Sequence, residues 1–138
     1  NMGTAARFDY TVLGDQVNLG SRLEALTKDY GVGILVTEAT ARAAGPGFVF
    51  REIDVVRVKG RSGAAPVFEL IGRAGKPVDT RFADALAAYR KRDFATAKAA
   101  FAALVDDRAA ETMAERCSVL AVTPPPEDWD GVYDQRSK

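Results

Sequence analysis

The sequence contains no histidine, and its 138 residues include a single cysteine, Cys117, and a single tryptophan, Trp129. Without histidine there is no Ser-His-Asp or Cys-His nucleophile and no imidazole-ligated metal site. One cysteine excludes an intramolecular disulfide and any cysteine-rich zinc site. No apolar run approaches the ~18 residues that span a bilayer, and no signal peptide is visible. Net charge is missing too: 19 Lys+Arg balance 19 Asp+Glu. A phosphate-backbone binder needs a basic surplus or patch, so nucleic acid is not an expected partner. What is present is a globular balance, 47% apolar and 28% charged, of the kind that builds one ordinary domain or a small domain with an appendage. The chain reads as a cytoplasmic module or a piece of one. Its opening, Asn1-Met-Gly3 running almost directly into an apolar stretch, reads as a start inside a domain.

Alternation of Phe8, Tyr10 and Val12 with Asp9, Thr11 and Leu13 predicts a strand ending at Gly14. Asp15 then suits a helix N-cap. Leu19, Leu23, Leu26 and Tyr30 recur at helical spacing up to a Gly31 stop. Residues 33–36 predict a short strand, and Thr37-Glu38 opens a short helix ended by Gly45-Pro46. Residues 48–58 predict a long strand, Lys59 to Gly63 a turn, and Val67 to Ile71 the return strand of a hairpin. The order is α+β rather than regularly alternating. Composition then turns Ala-rich. Three helices are predicted, lined by Phe82, Leu86 and Tyr89, by Phe94, Ala97, Phe101 and Leu104, and by Met113, Cys117 and Leu120. Pro124-Pro-Pro126 closes them ahead of a polar tail. Cys117 fits a small core residue, and Trp129 is expected to pack back onto the protein.

The chemistry-bearing stretch is Phe8 to Glu24. Asn18 and Arg22, four apart, share a helix face beside the apolar stripe. Held together they form a donor array suited to a sugar oxygen and a phosphoryl group. A solvated helix face is the plainer reading of the pair taken alone.

Three ordered motifs resemble the catalytic domain of class III nucleotidyl cyclases. These are Tyr10-Thr-Val-Leu-Gly-Asp-Gln-Val-Asn-Leu-Gly-Ser-Arg22, then Gly33-Ile-Leu-Val-Thr-Glu38, then Val58-Lys-Gly-Arg61 followed by Val67-Phe-Glu-Leu70. The resemblance implies that residues 1–72 are the later part of a ferredoxin-like cyclase domain, joined by a linker, 73–78, to a helical extension, 79–122, and a Pro-rich tail, 123–138. It implies an adenylate cyclase acting on ATP through a head-to-tail homodimer. Asn18 matches the residue that orients the ribose, Arg22 the one that stabilises the α-phosphoryl transition state, Lys59 the one that grips the β- and γ-phosphates, and Thr11 the base-selecting position. Two divalent ions, Mg2+ or Mn2+, are implied as well, held by aspartates upstream of this stretch in the family; Asp9 and Asp15 do not match them. The chain by itself is therefore expected to be inactive. A guanylate cyclase of the same mechanism, or a degenerate cyclase-homology domain serving dimerisation or signalling, are the alternative readings. The extension resembles one tetratricopeptide-like helix pair from Tyr89 to Phe101, and docking on its own domain is favoured over partner binding. The whole tail resembles the C-terminal extension of bacterial membrane-anchored cyclases, which would place a membrane sensor upstream while this segment makes no membrane contact.

Overall fold

The computed structural model describes residues 22–57, 63–75 and 79–135. The predicted strand over 8–13, the Asp15 cap and all but the last residue of the 59–63 turn lie outside these. Helix α1, described over residues 22–30, is followed by β1 (Leu35–Thr37), α2 (Glu38–Ala43), a 3-10 turn (Gly45–Gly47) and the hairpin strands β2 (Phe48–Arg57) and β3 (Ala64–Arg73). Helices α3 (Arg81–Arg90), α4 (Phe94–Ala102) and α5 (Arg108–Val122) come next, then a two-residue strand, β4 (Tyr133–Asp134). The architecture is α+β, as the element order predicts.

The sheet is mixed, in the order β1-β3-β2-β4. β3 lies antiparallel to both β1 and β2, and β4 lies parallel to β2. β3 is longer than its predicted 67–71 because Ala64, Ala65 and Pro66 pair with Arg57, Val56 and Val55. Proline is tolerated there since β1 reaches only Val67 to Glu69, leaving that side of β3 open at Pro66. β4 is not anticipated by the sequence, which reads there as a polar tail only. Two residues carry no periodicity, and a parallel partner arrives only through a long crossover; in this fold that connection takes in β3 and the whole of α3 to α5.

One core runs through both parts of the chain. Leu26 and Tyr30 of α1, Leu35 of β1, Ile53 and Val56 of β2 and Val67 of β3 join Phe82, Ala85, Leu86 and Tyr89 of α3, Phe94, Ala97 and Phe101 of α4, and Met113 and Cys117 of α5. Burial pushes the Cys117 thiol up to about 11, so it stays a protonated, inert core group. Helices α4 and α5 start on side-chain caps: Asp93 accepts from the Thr96 amide at 3.3 Å and Asp107 from the Ala110 amide at 3.1 Å. Trp129 packs against Tyr89 and Phe94, with ring centroids 5.4 and 5.6 Å away. Arg92 holds the Pro-rich turn by donating to the carbonyls of Pro125 and Pro126 at 2.7 Å each.

Two largely buried arginines tie the helices to the sheet, beside a more exposed pair of Arg90 with Glu52 at 2.8 Å. Arg51 of β2 lies over the Phe82 ring at 4.3 Å, donates to Glu69 at 2.9 Å and forms a two-pronged pair with Asp107 at 2.8 Å per prong. Burial alone would raise the Asp107 carboxyl, but the Arg51 bonds outweigh it and hold the group below the ordinary range. Arg116 of α5 reaches Asp54 of β2 at 2.6 Å. Asp54 is 0% exposed and also accepts from the Tyr30 hydroxyl at 2.6 Å and the Val55 amide at 2.8 Å. Burial, reinforced by the Asp54 charge, holds the Tyr30 hydroxyl well above the ordinary tyrosine value, so it remains a donor. Burial would lower Arg116, but Tyr30 and Asp54 beside it more than reverse that. Among the described residues no buried side-chain polar atom lacks a partner.

Removing one member of a buried ion pair leaves an uncompensated charge, which costs about 3–5 kcal/mol. Arg116→Met is therefore expected to lower the stability of the chain by about that amount in urea denaturation. Asp54→Asn in the Arg116→Met background removes the stranded charge while keeping an acceptor for the Val55 amide. The double variant should be the more stable of the two. A double variant no better than Arg116→Met would show that the buried charge is not what the arginine neutralises.

Candidate functional site

Of the four residues singled out by the sequence, Arg22 falls within the described part. Thr11, Asn18 and Lys59 lie outside the described residues. The placement of Arg22 follows from how α1 is held. Leu26 and Tyr30, one turn apart, are both 0% exposed, and the Tyr30 hydroxyl is fixed on Asp54. α1 ends in a Schellman turn: Gly31 donates to the Lys28 carbonyl at 3.3 Å and Val32 to the Thr27 carbonyl at 3.1 Å. Gly31 has φ +70°, and a Cβ there would sit 3.0 Å from the Arg108 Cβ. The helix thus has a buried stripe, a fixed C-terminal end and a half-buried Arg22 at its other described end.

The second element near the site is the end of β2. Arg57 closes that strand, directly before the 58–62 stretch that contains Lys59. Its guanidinium donates to Asp134 at 2.6 Å and Asp130 at 3.2 Å, pinning the C-terminal tail alongside. Gln135 then joins both elements: its amide donates to the Arg57 carbonyl at 2.9 Å and its Nε2 to the Arg22 carbonyl at 3.0 Å. One tail residue therefore brings the backbone of Arg22 and the backbone of Arg57 to a shared point. Sequence reasoning missed Arg57, Asp130, Asp134 and Gln135. An acidic tail over 127–135 and an isolated strand arginine are too general a signal to have paired them.

A cleft of about 520 Å³ opens between α5 and the tail, walled by Arg116, Trp129, Asp130 and Tyr133. Arg22 is not among its described lining residues. Arg116 lies at 4.1 Å over the Tyr133 ring on this side. Among the described residues no three His, Cys, Asp or Glu side chains gather as a metal site. Asp54 is engaged by Arg116, Asp107 by Arg51, and Asp130 and Asp134 by Arg57. The described residues therefore do not fit a divalent cation.

Against known proteins, no family model matches the chain, and no solved structure matches it. Three curated proteins do. The chain is 47% identical over 73 residues to the terminal-differentiation specific adenylate cyclase of Dictyostelium discoideum. It is 44% identical over 72 residues to an adenylate cyclase of Anabaena cylindrica and 38% identical over 72 residues to adenylate cyclase 1 of Rhizobium meliloti. Each match takes in about half of this chain, 50–52%, and only 3–14% of the relative. About half of the chain is thus adenylate-cyclase-like in sequence, and it spans a small part of the length of the curated relatives it matches. Among the described residues no helix is long and apolar enough to cross a membrane.

The anchoring of α1 can be tested at its C-terminal end. A side chain at Gly31 meets both the left-handed backbone, worth about 1–2 kcal/mol, and the Arg108 stem. Gly31→Val is expected to lose at least that much stability and Gly31→Asn less, because asparagine tolerates this conformation. Equal stability of the glycine and valine forms in thermal unfolding would remove Gly31 as the fixed end of the helix.

Proposed function

We propose that this chain carries the later part of a class III cyclase catalytic domain whose complete form converts ATP to 3′,5′-cyclic AMP and pyrophosphate. The observation that carries this reading is an arginine at the motif position, Arg22, on a helix locked into the core by Leu26, Tyr30 and Gly31, in a chain half of which is similar to adenylate cyclases. In the reaction the ribose 3′-oxygen attacks the α-phosphorus, the 3′-hydroxyl proton leaves, and the bond to the β-phosphate oxygen breaks to release pyrophosphate. Negative charge grows on the phosphoryl oxygens, so a guanidinium held at a fixed point lowers the barrier without reorganising. In this reading Arg22 is that group. Asn18, four residues before it, orients the ribose; Lys59 binds the β- and γ-phosphates; Thr11 contacts the base edge. Residues 1–72 form the cyclase part, 79–122 the helical extension, and catalysis takes place in a homodimer. The divalent ions the resemblance implies, Mg2+ or Mn2+, find no site among the described residues of this chain, whose own side chains supply binding, orientation and positive charge.

Arg22→Ala in the complete protein is expected to lower kcat by about 10²–10³, equivalent to about 2.7–4 kcal/mol, the usual loss when one transition-state donor is removed. KM for ATP should change far less than kcat, because Arg22 acts mainly on the charge that the α-phosphoryl gains on the way to the transition state. A variant with near-normal kcat, measured as cyclic AMP formed at saturating ATP and Mn2+, would return Arg22 to the plain helix surface.

Base choice supplies a second test. A threonine hydroxyl both donates and accepts, so Thr11 can accept from the adenine N6 amine. Thr11→Val leaves that amine unpaired and should lower kcat/KM for ATP by about 1–3 kcal/mol, with a smaller effect on GTP. The ATP/GTP ratio should therefore narrow. A wild-type preference for GTP, with both nucleotides compared at equal Mn2+, would replace the adenylate reading with the guanylate one.

A further inference from the structure

The C-terminal tail does more than end the chain. After Pro126 it turns back, lays Trp129 on Tyr89 and Phe94, puts Tyr133 beneath Arg116 and adds β4 to the sheet beside Val56 and Arg57. At its described end stands Gln135, whose amide groups reach two different elements. The backbone amide continues the ladder to Arg57; the side-chain amide leaves the sheet and donates to the Arg22 carbonyl. Since the tail is already held by the β4 ladder and by the packing of Trp129 and Tyr133, Gln135 meets the Arg22 carbonyl from a fixed base.

We propose that Gln135 is a positioning residue: its side chain holds the backbone of Arg22 against the end of β2, and so sets where the Arg22 guanidinium stands relative to that strand. The inference rests on the cyclase reading for its functional consequence. It assigns a role in the site to the far end of the chain, beyond the helical extension. Leu26 and Tyr30 fix the depth and C-terminal end of α1, but a helix anchored at one end can still swing at the other. A bond at Arg22 restrains that swing, and an arginine that must meet a phosphoryl oxygen is sensitive to displacements of about an ångström.

The test uses the complete protein with Mn2+ and ATP, with Arg22→Ala alongside. Gln135→Ala keeps the backbone bond to Arg57 and removes the side-chain bond to the Arg22 carbonyl. It is expected to lower kcat about tenfold, with KM for ATP within about twofold and the thermal midpoint within about 2 °C of wild type. Gln135→Lys, which restores a donor at similar reach, should recover most of the lost kcat. Hydrogen exchange should rise in the peptide that begins α1 and stay unchanged in α3 and α4. A Gln135→Ala enzyme with wild-type kcat, in a protein that Arg22→Ala inactivates, overturns the positioning role and leaves the cyclase reading in place. A midpoint that falls in step with kcat also overturns it, in favour of a merely structural tail. A wild-type protein that forms no cyclic nucleotide overturns the cyclase reading itself, and the positioning role with it.

Discussion

A buried carboxylate in the middle of β2 sets the terms for the rest of this structure. Asp54 lies in an Ile-Asp-Val-Val run, is inaccessible to water, and would be untenable there as a lone charge. Its solution draws in three separate elements: the Tyr30 hydroxyl from α1, the Arg116 guanidinium from α5 and the Val55 amide from β2 itself. The strand shifts register between Glu52 and Asp54, and such a bulge re-aims side chains. In β2 it brings Ile53 and Asp54 both into the interior. None of the three partners is optional. Without Arg116 the carboxylate is uncompensated, and without α1 in place the tyrosine cannot donate. The interaction therefore demands that sheet, motif helix and C-terminal helix be assembled together, which apolar contacts alone do not require. Apolar surfaces tolerate sliding by a residue; a charge with one arginine in reach does not.

How much of this the sequence discloses depends on the range of the interaction. The end of α1 at Gly31, the Thr37 start of α2, the β2 strand and the three later helices are all local, and their signals sit in adjacent residues. Cys117 and Trp129 declare themselves by their apolar character, and both are where that character puts them. The misses are long-range. β4 is two residues whose only reason for being a strand is a partner far earlier in the chain, at Val56 and Arg57. Arg116 sits beside the Met113-Cys117-Leu120 stripe and looks, from sequence, like one more exposed helix charge. Asp54 is the visible anomaly, an acid inside an apolar strand, but the anomaly does not say which arginine answers it. The candidate site divides the same way. Arg22 is legible because the motif around it has a fixed spacing, and its setting in the structure agrees with a helix anchored from behind. Gln135 has no motif and becomes visible only when the tail is seen lying against β2.

The helical region illustrates why a single helix pair rarely stands by itself. Phe82, Phe101 and Met113 bury their side chains among α3, α4 and α5, yet the same layer continues without a break into Ile53, Val56 and Tyr30. The arginine ties at its two ends, Arg51 to Asp107 and Arg116 to Asp54, are about as far from exposed salt bridges as this chain offers. The first adds a cation stacked on Phe82 and caps α5 through the same aspartate. Surface pairs such as Arg42 with Glu38, both well exposed, contribute little by comparison. The surface presented by α3, α4 and α5 toward the sheet is thus occupied by the chain itself.

This arrangement gives the extension a physical route to the motif helix. A displacement of α5 would move Arg116, and with it the two aromatic rings it touches: Tyr30 at the end of α1 and Tyr133 in β4. Both connections lead back to the helix that carries Arg22, one through the body of α1 and the other through β4 to Gln135. The two routes meet the helix at opposite ends of its described part, so together they resist rotation as well as translation. Either one alone would leave α1 a pivot. In the role proposed for Arg22, a guanidinium that is to meet developing charge gains nothing from a strong local bond of its own, which would compete with the phosphoryl group. It gains from rigidity in the backbone that carries it, and that rigidity is what the buried Asp54 network and the returning tail supply.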